Sequence, residues 1–287
     1  MESATINRVR LWLRSERAFG LSSVPARASA VVEQEEQEQA ELSTTHGAQH
    51  PDRALFASVA APKNMASRAQ ADSSQARPAQ QPAQAFDAPH LSTAEKKSRL
   101  IAMDSNEVRG CTKCRLCEKR TNTVFGEGNV DAGIVFIGEG PGENEDLQGR
   151  PFVGRAGEML NKWIAAMGLR REDVYIANIV KCRPPNNREP APDEVATCTP
   201  YLQRQLEIIR PKVIVTLGLP SLKHMTGDAK LAMGRSRGIW REWRGIKLMP
   251  TFHPAYILRN YTDETRAAVW SDLKMVMAEL GMPVPKR

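Results

Sequence analysis

The 287-residue sequence predicts an α/β fold built on a mostly parallel, four-stranded sheet. Three observations lead there. Short apolar runs read as buried strands, segments of helical periodicity alternate with them, and the chemically unusual residues fall where the runs end. "GIVFIGE" (133–139) is the first run, apolar throughout and closed by glycine. "RAGEMLNKWIAAMGL" follows with Met159, Leu160, Trp163, Ile164 and Met167 on one helical face, and Gly168 as its stop. "DVYIANIVKC" (173–182) reads as the second strand. "PDEVATCTPYLQRQLEIIRP" is the next helix, with Pro192 and Asp193 at its start. "KVIVTLG" is the third strand, "LPSLKHMTG" a short helix, "IKLMPTFHP" the fourth strand, and "TRAAVWSDLKMVMAEL" the closing helix. Strands alternating with helices make βαβ units, whose sheet is covered on both faces and binds ligands beyond the C-terminal strand ends.

Composition divides the chain near residue 95. Residues 1–95 are rich in Ala, Gln, Ser and Pro, as in "SRAQADSSQARPAQQPAQAFDAPH", and are expected to be a disordered extension because they offer too little apolar surface to bury. A short helix near 6–20 is the exception, and the tail is a candidate docking element for an unidentified protein. Residues 96–287 form the expected folded domain. The net charge is +7, of which +6 falls in residues 101–287. That mild basic bias is compatible with a polyanionic partner without demanding one. Five cysteines and no secretory leader argue against a disulfide scaffold and for a reducing, cytoplasmic setting, and no apolar run is long enough for a membrane helix.

Cysteine spacing gives the sharpest local signal. "GCTKCRLCEKR" crowds Cys111, Cys114 and Cys117 into seven positions. Cys182 leaves a strand and Cys198 sits on the following helix. Cys111 and Cys114 form a C-x2-C pair, and with Cys182 and Cys198 they make up a four-sulfur set; Cys117 is then the spare. Zinc and an iron–sulfur cluster both accept four thiolates, and spacing does not choose between them. Unconnected buried thiols are the blander reading, which the clustering disfavours.

Three further stretches carry chemistry at strand ends. In "GEGPGENEDLQGRPFVGRAG" (138–157) the glycines let backbone approach a ligand, yet neither a dinucleotide nor a P-loop fingerprint fits. Glu139, Glu143, Glu145 and Asp146 are of a ligand type, although a solvated acidic loop is the commoner use, and Phe152 is either core or a platform for a planar ligand. Asn178 ends an apolar strand in "NIVKCRPPNNREPAP", where a buried amide needs a partner; a planar imide edge would suit it, and a turn asparagine is the alternative. His253 in "MPTFHPAYILRN" precedes Pro254. Arg259, with Arg235, Arg237, Arg241 and Arg244 upstream, offers phosphate contacts or a plain solvated face.

Taken in order, "GEGPG…E", "GRPFVG", "NIVKCRPPNNR", the spaced cysteines and "HPAYILRN" resemble the family 4 (iron–sulfur) uracil-DNA glycosylases over roughly residues 105–282. The resemblance implies a three-layer α/β/α fold and a [4Fe-4S] cluster on Cys111, Cys114, Cys182 and Cys198. It implies that uracil flipped from DNA stacks on Phe152, is read by Asn178, is walled by Glu139, Gly140 and Pro141, and is polarised by His253. Glu139 or Glu145 is expected to orient the attacking water. The expected product is an intact abasic site, since no motif lysine suggests a Schiff base, and a monomer is the expected state. Against the G-Q-D-P-Y motif of the family 1 enzymes, Gly140 stands where their aspartate lies and Gly142 where their tyrosine lies. The variant that stays covalently attached to the abasic site is disfavoured, because "CRPPNNREPAP" replaces its K-R-R-I-H loop. A non-catalytic Fe–S or zinc module that binds DNA is the reading from another class.

Overall fold

The computed structural model describes residues 90–285. The proposed extension, including the helix near 6–20, lies almost wholly outside them. The first described element, α1 (Thr93–Met103), starts just upstream of the compositional boundary because Ser92 caps it, exchanging hydrogen bonds with Glu95. A π turn, Asp104–Val108, then carries the chain to Cys111.

Six strands form one sheet: β1 (Glu127–Gly128), β2 (Ile134–Gly138), β3 (Tyr175–Asn178), β4 (Val213–Leu217), β5 (Arg241–Trp243) and β6 (Ile246–Thr251). Their order is β1-β3-β2-β4-β6-β5. The four inner strands are parallel and are the four read from the sequence; β1 and β5 add antiparallel edges. The expected count of four is therefore corrected to six. The two edges escaped notice because one is only two residues long and the other, Arg241-Glu242-Trp243, has no apolar alternation. β3 is also shorter than "DVYIANIVKC" suggested. It ends at Asn178, and residues 179–182 stay buried while turning away from the sheet.

Helices α2 (Glu143–Gln148), α3 (Arg155–Ala166), α4 (Pro192–Ile209), α5 (Leu219–Thr226), α6 (Met233–Ser236), α7 (Pro254–Arg259) and α8 (Asp263–Glu279) complete the domain. α2 and α7 were read as loop and turn; each is a six-residue helix too short to show a periodic apolar stripe. Alternate strand residues feed opposite faces of the sheet. Val135, Ile137, Ala177, Ile214 and Leu248 pack with Leu100 of α1, Leu202 and Leu206 of α4 and Leu222 of α5. Ile134, Phe136, Ile176, Val215 and Met249 pack with Leu160 and Trp163 of α3 and Leu273 and Val276 of α8. Those two cores make the three layers. None of the described helices is long and apolar enough to cross a membrane.

One buried carboxylate fastens the loops at the start of α4. Glu194 accepts the Ala191 N–H at 2.7 Å, Arg188 at 2.6 and 2.8 Å, and Nε of Arg115 at 2.7 Å. Arg115 belongs to the cysteine loop and Arg188 to the "PPNNR" loop, so both hang on one side chain. These bonds, Arg188 first, hold the Glu194 carboxyl down at about 2 against burial, which opposes them. A depressed carboxyl adds stability that is complete above the ordinary carboxylate range and is lost as pH falls toward about 2. Glu194→Gln is expected to lower stability near neutral pH by roughly 2 kcal/mol, a figure discounted for the solvent around both guanidiniums. Urea unfolding repeated toward about pH 3 should show the gap to the unsubstituted protein closing.

Candidate active site and cysteine centre

The C-terminal ends of β2, β3, β4 and β6 open into a cleft of ≈ 820 Å³. Glu139, Gly140, Pro141, Glu145, Phe152, Asn178 and His253 all line it, so the side chains singled out in the sequence meet in one place. Sequence reasoning missed Gly218, Tyr256 and the prolines at 184, 190 and 220, which also form its walls. Nothing distinguishes wall prolines and glycines from ordinary turn residues until the strand ends are brought together. Of the arginines offered for phosphate, Arg259 lines the cleft, whereas Arg237 and Arg244 are taken up by Asp272 and Glu207.

Asn178 is 1% exposed, and its Oδ1 has no hydrogen-bond partner among the described residues. It sits in register with Gly138 on the neighbouring strand. A Cβ on Gly138 would lie 2.4 Å from that Oδ1 and 2.6 Å from Cζ of Phe152, so the approach requires glycine. Phe152 itself is buried and adopts φ 50°, the left-handed region that a bulky residue rarely holds unaided. Its neighbours impose that conformation. The Arg171 guanidinium donates to the carbonyls of Phe152 at 3.2 Å and Pro151 at 2.5 Å, and a Cβ on Gly157 would lie 1.9 Å from the Phe152 carbonyl oxygen.

Within the acidic stretch Glu143 is exposed, whereas Glu145 and Asp146 are taken up by backbone N–H groups. Glu145 accepts the N–H groups of Gly142, Val153 and Gly154 at 3.1, 2.8 and 2.9 Å, tying both sides of the loop around Phe152. Asp146 is buried and accepts the N–H groups of Thr121 and Asn122. Glu139 is different: half-buried, with no hydrogen bond from its carboxylate among the described residues. Burial, reinforced by the charge of Glu189, pushes its carboxyl up to about 6.

His253 caps α7, its Nδ1 accepting the Ala255 N–H at 3.1 Å. The ring proton therefore belongs on Nε2. Burial, helped by Arg259 and opposed by Glu145, lowers the imidazole to about 4, which leaves it neutral near pH 7. The ring lies 5.7 Å from that of Phe152, centroid to centroid, at 35°. Behind it, Thr251 donates to Asp272 at 2.7 Å, and Arg237 bonds the same carboxylate, fixing the end of β6.

Cys111, Cys114, Cys182 and Cys198 line a second, much smaller cavity of ≈ 10 Å³. Cys117 does not line it, and no cysteine forms a disulfide. Among the described residues no group of three or more Cys, His, Asp or Glu side chains is gathered tightly enough for a single metal ion. Donors surround the sulfurs: Arg120 to Cys182 at 3.2 Å, the Lys181 N–H to Cys198 at 3.2 Å and the Tyr201 hydroxyl to Cys111 at 3.6 Å. Burial pushes the Cys182 thiol up to about 11 and also raises Cys198 and Cys114. Lys181 is buried between the two sites, and desolvation lowers its ammonium to about 8, against the opposing charges of Cys198 and Cys182.

Comparison with known proteins agrees with this geometry. Residues 125–274 match the model of the uracil DNA glycosylase superfamily. The type-4 uracil-DNA glycosylase of Thermotoga maritima is 51% identical over 179 residues, covering 62% of this chain and 93% of that one. That of Saccharolobus solfataricus is 48% identical over 185 residues, covering 62% and 85%. Type-5 glycosylases also match, more distantly: that of Pyrobaculum aerophilum is 35% identical over 175 residues. With the matched region spanning the sheet, the cleft and β6, the chain belongs to the uracil-DNA glycosylase superfamily, in its type-4 branch.

Proposed function

We propose that the cleft excises uracil from DNA by monofunctional hydrolysis, in the opening step of base excision repair, and that Asn178 selects the base. The carrying observation is the Asn178 amide, buried at a strand end with an acceptor left unpaired. Leaving such an atom without a partner costs on the order of 1–3 kcal/mol, which a bound imide recovers. Uracil must first leave the stack, because its glycosidic bond is out of reach inside a duplex. In the cleft it stacks on Phe152; Oδ1 of Asn178 accepts its N3–H while the amide N–H donates to O4. Cytosine has a bare N3 and an amino group in those positions, so the same amide rejects it.

As the bond breaks, negative charge collects on uracil O2 and positive charge on the deoxyribose. Nε2–H of neutral His253 donates to O2, a hydrogen bond that strengthens as the charge grows. Glu139 orients the water that attacks C1′, since its carboxylate is unengaged, whereas the oxygens of Glu145 are committed to backbone. Glu145 therefore serves as a positioning residue. Among the described residues no lysine lines the cleft, which supports an abasic product over a Schiff-base lyase. A non-catalytic binding module would have no use for the unpaired amide.

For the second cavity we propose a [4Fe-4S] cluster on Cys111, Cys114, Cys182 and Cys198. Four thiols lining one cavity, with N–H and O–H donors to three of the sulfurs, fit a four-thiolate cluster. When bound it would supply four iron–thiolate bonds that pin the cysteine loop to α4; glycosidic hydrolysis itself transfers no electron. The reading also takes residues 96–287 as the catalytic domain, 1–95 as an extension suited to docking a protein, and a monomer acting on DNA in the cytoplasm.

An end-labelled oligonucleotide carrying one uracil should break at that position only after alkali, and a thymine control should stay intact. His253→Ala is expected to lower kcat about 10²- to 10³-fold while DNA affinity in a filter-binding assay is retained. Gly138→Ala, which drives a methyl group into Asn178 and Phe152, should raise KM for uracil sites and also lower Tm, since overpacking a buried strand costs roughly 1–3 kcal/mol. The Glu139 carboxylate must be ionised to hold the water. Single-turnover rates should therefore climb as pH rises through about 6, and this limb should vanish in Glu139→Gln. His253, neutral down to about 4, contributes no break in that range.

A further inference from the structure

Between the two cavities lies a side chain that the excision chemistry does not use. Lys181 is 1% exposed, and its Nζ donates to the backbone carbonyl of Asn178 at 2.9 Å and to Oε1 of Gln205 at 2.6 Å. Both partners are neutral carbonyls. Among the described residues no carboxylate pairs with this ammonium, which is unusual for a buried cation. Gln205 gives it no charge, because its own amide is oriented by bonds to the Phe125 carbonyl at 2.8 Å and the Tyr175 hydroxyl at 3.2 Å.

The groups within reach that become anionic on binding metal are the thiols of Cys182 and Cys198. Lys181 lines the cysteine cavity, precedes Cys182, and gives its backbone N–H to Cys198. With four thiolates bound to a cluster, that cavity carries net negative charge, shared by Arg120 on one side and Lys181 on the other. Resting on the cluster reading above, we propose that Lys181 is a positioning residue with two roles: its charge offsets the anionic cysteine centre, and its hydrogen bond to the Asn178 carbonyl fixes the uracil-reading amide. Lys181 thus meets the base-recognition strand through its ammonium and the cysteine limb through its backbone N–H. Loss of the thiolate centre leaves the cation uncompensated next to Asn178, and a disturbed Asn178 reads uracil poorly.

The test compares holoprotein of the unsubstituted chain with Lys181→Met, which keeps the length of the side chain and removes its charge. Three readouts are taken: iron release to a chelator, the midpoint potential of the cluster, and the affinity for free uracil by calorimetry. Iron release should quicken and uracil affinity fall, each about 10- to 100-fold, the usual effect of losing a group that supports metal ligands. The potential should move to more negative values, because a nearby positive charge favours the reduced, more anionic cluster. Gln205→Glu, nearly isosteric, sets a carboxylate beside Nζ and should move the potential in the same direction, which keeps the test open if Lys181→Met fails to accumulate. Unchanged potential and iron release in both variants, with normal iron in the unsubstituted protein, would overturn the proposal. Absence of iron and sulfide from the unsubstituted protein would instead overturn the cluster reading beneath it.

Discussion

Everything in the cleft depends on how closely β2 and β3 approach where both end. Gly138 and Asn178 face each other in register, and the space a Cβ would occupy is filled by an amide oxygen and an aromatic edge. Removing one methyl group from one strand lets the neighbouring strand hold a side-chain amide at the pocket floor with no competing partner. It also lets a phenylalanine lie across that floor. Phe152 can do so only in a left-handed conformation, so its cost is met by the surrounding contacts of Arg171, Gly157 and the Glu145 brace.

Buried charge in this domain is used mainly for fastening. Glu194 gathers the cysteine loop and the "PPNNR" loop onto the first turn of α4, where a carboxylate also suits the helix dipole. Asp272 holds Thr251 and Arg237 behind His253. Glu145 and Asp146, adjacent in sequence, take backbone N–H groups from opposite directions, one set from the Phe152 loop and the other from the segment after the cysteines. In each case one carboxylate satisfies several donors, the condition under which burying a charge is tolerable. Glu139 stands apart from this pattern, with its carboxylate unengaged and its acidity weakened by burial.

The inner strands and the long helices were legible because each carries a periodic apolar signal of adequate length. The cleft residues were legible for a different reason: Gly138, Asn178 and His253 are polar or glycine at the ends of apolar runs, where a parallel sheet places ligands. What stayed hidden depends on contacts made across the chain. A two-residue edge strand and six-residue helices have no periodicity to read. The bracing role of Glu145 cannot be told from the possible water-orienting role of Glu139 by residue type, since both are glutamates in one glycine-rich loop. Lys181 looked like a strand residue before a cysteine, and only the turn after Asn178 brings its ammonium back onto that residue's carbonyl.

The placement of the thiols along the chain bears on how the molecule is made. All four cysteines that line the second cavity lie between residues 111 and 198, together with Phe152 and Asn178, whereas β4, β6 and His253 come later. During synthesis from the N-terminus, Phe152, Asn178 and these four thiols emerge before β4 and β6. His253, proposed to polarise the base, arrives later, just past the final strand. A nascent chain halted after α4 would therefore carry all four thiols that line the second cavity and the Asn178 amide, yet lack the His253 imidazole proposed to polarise the base.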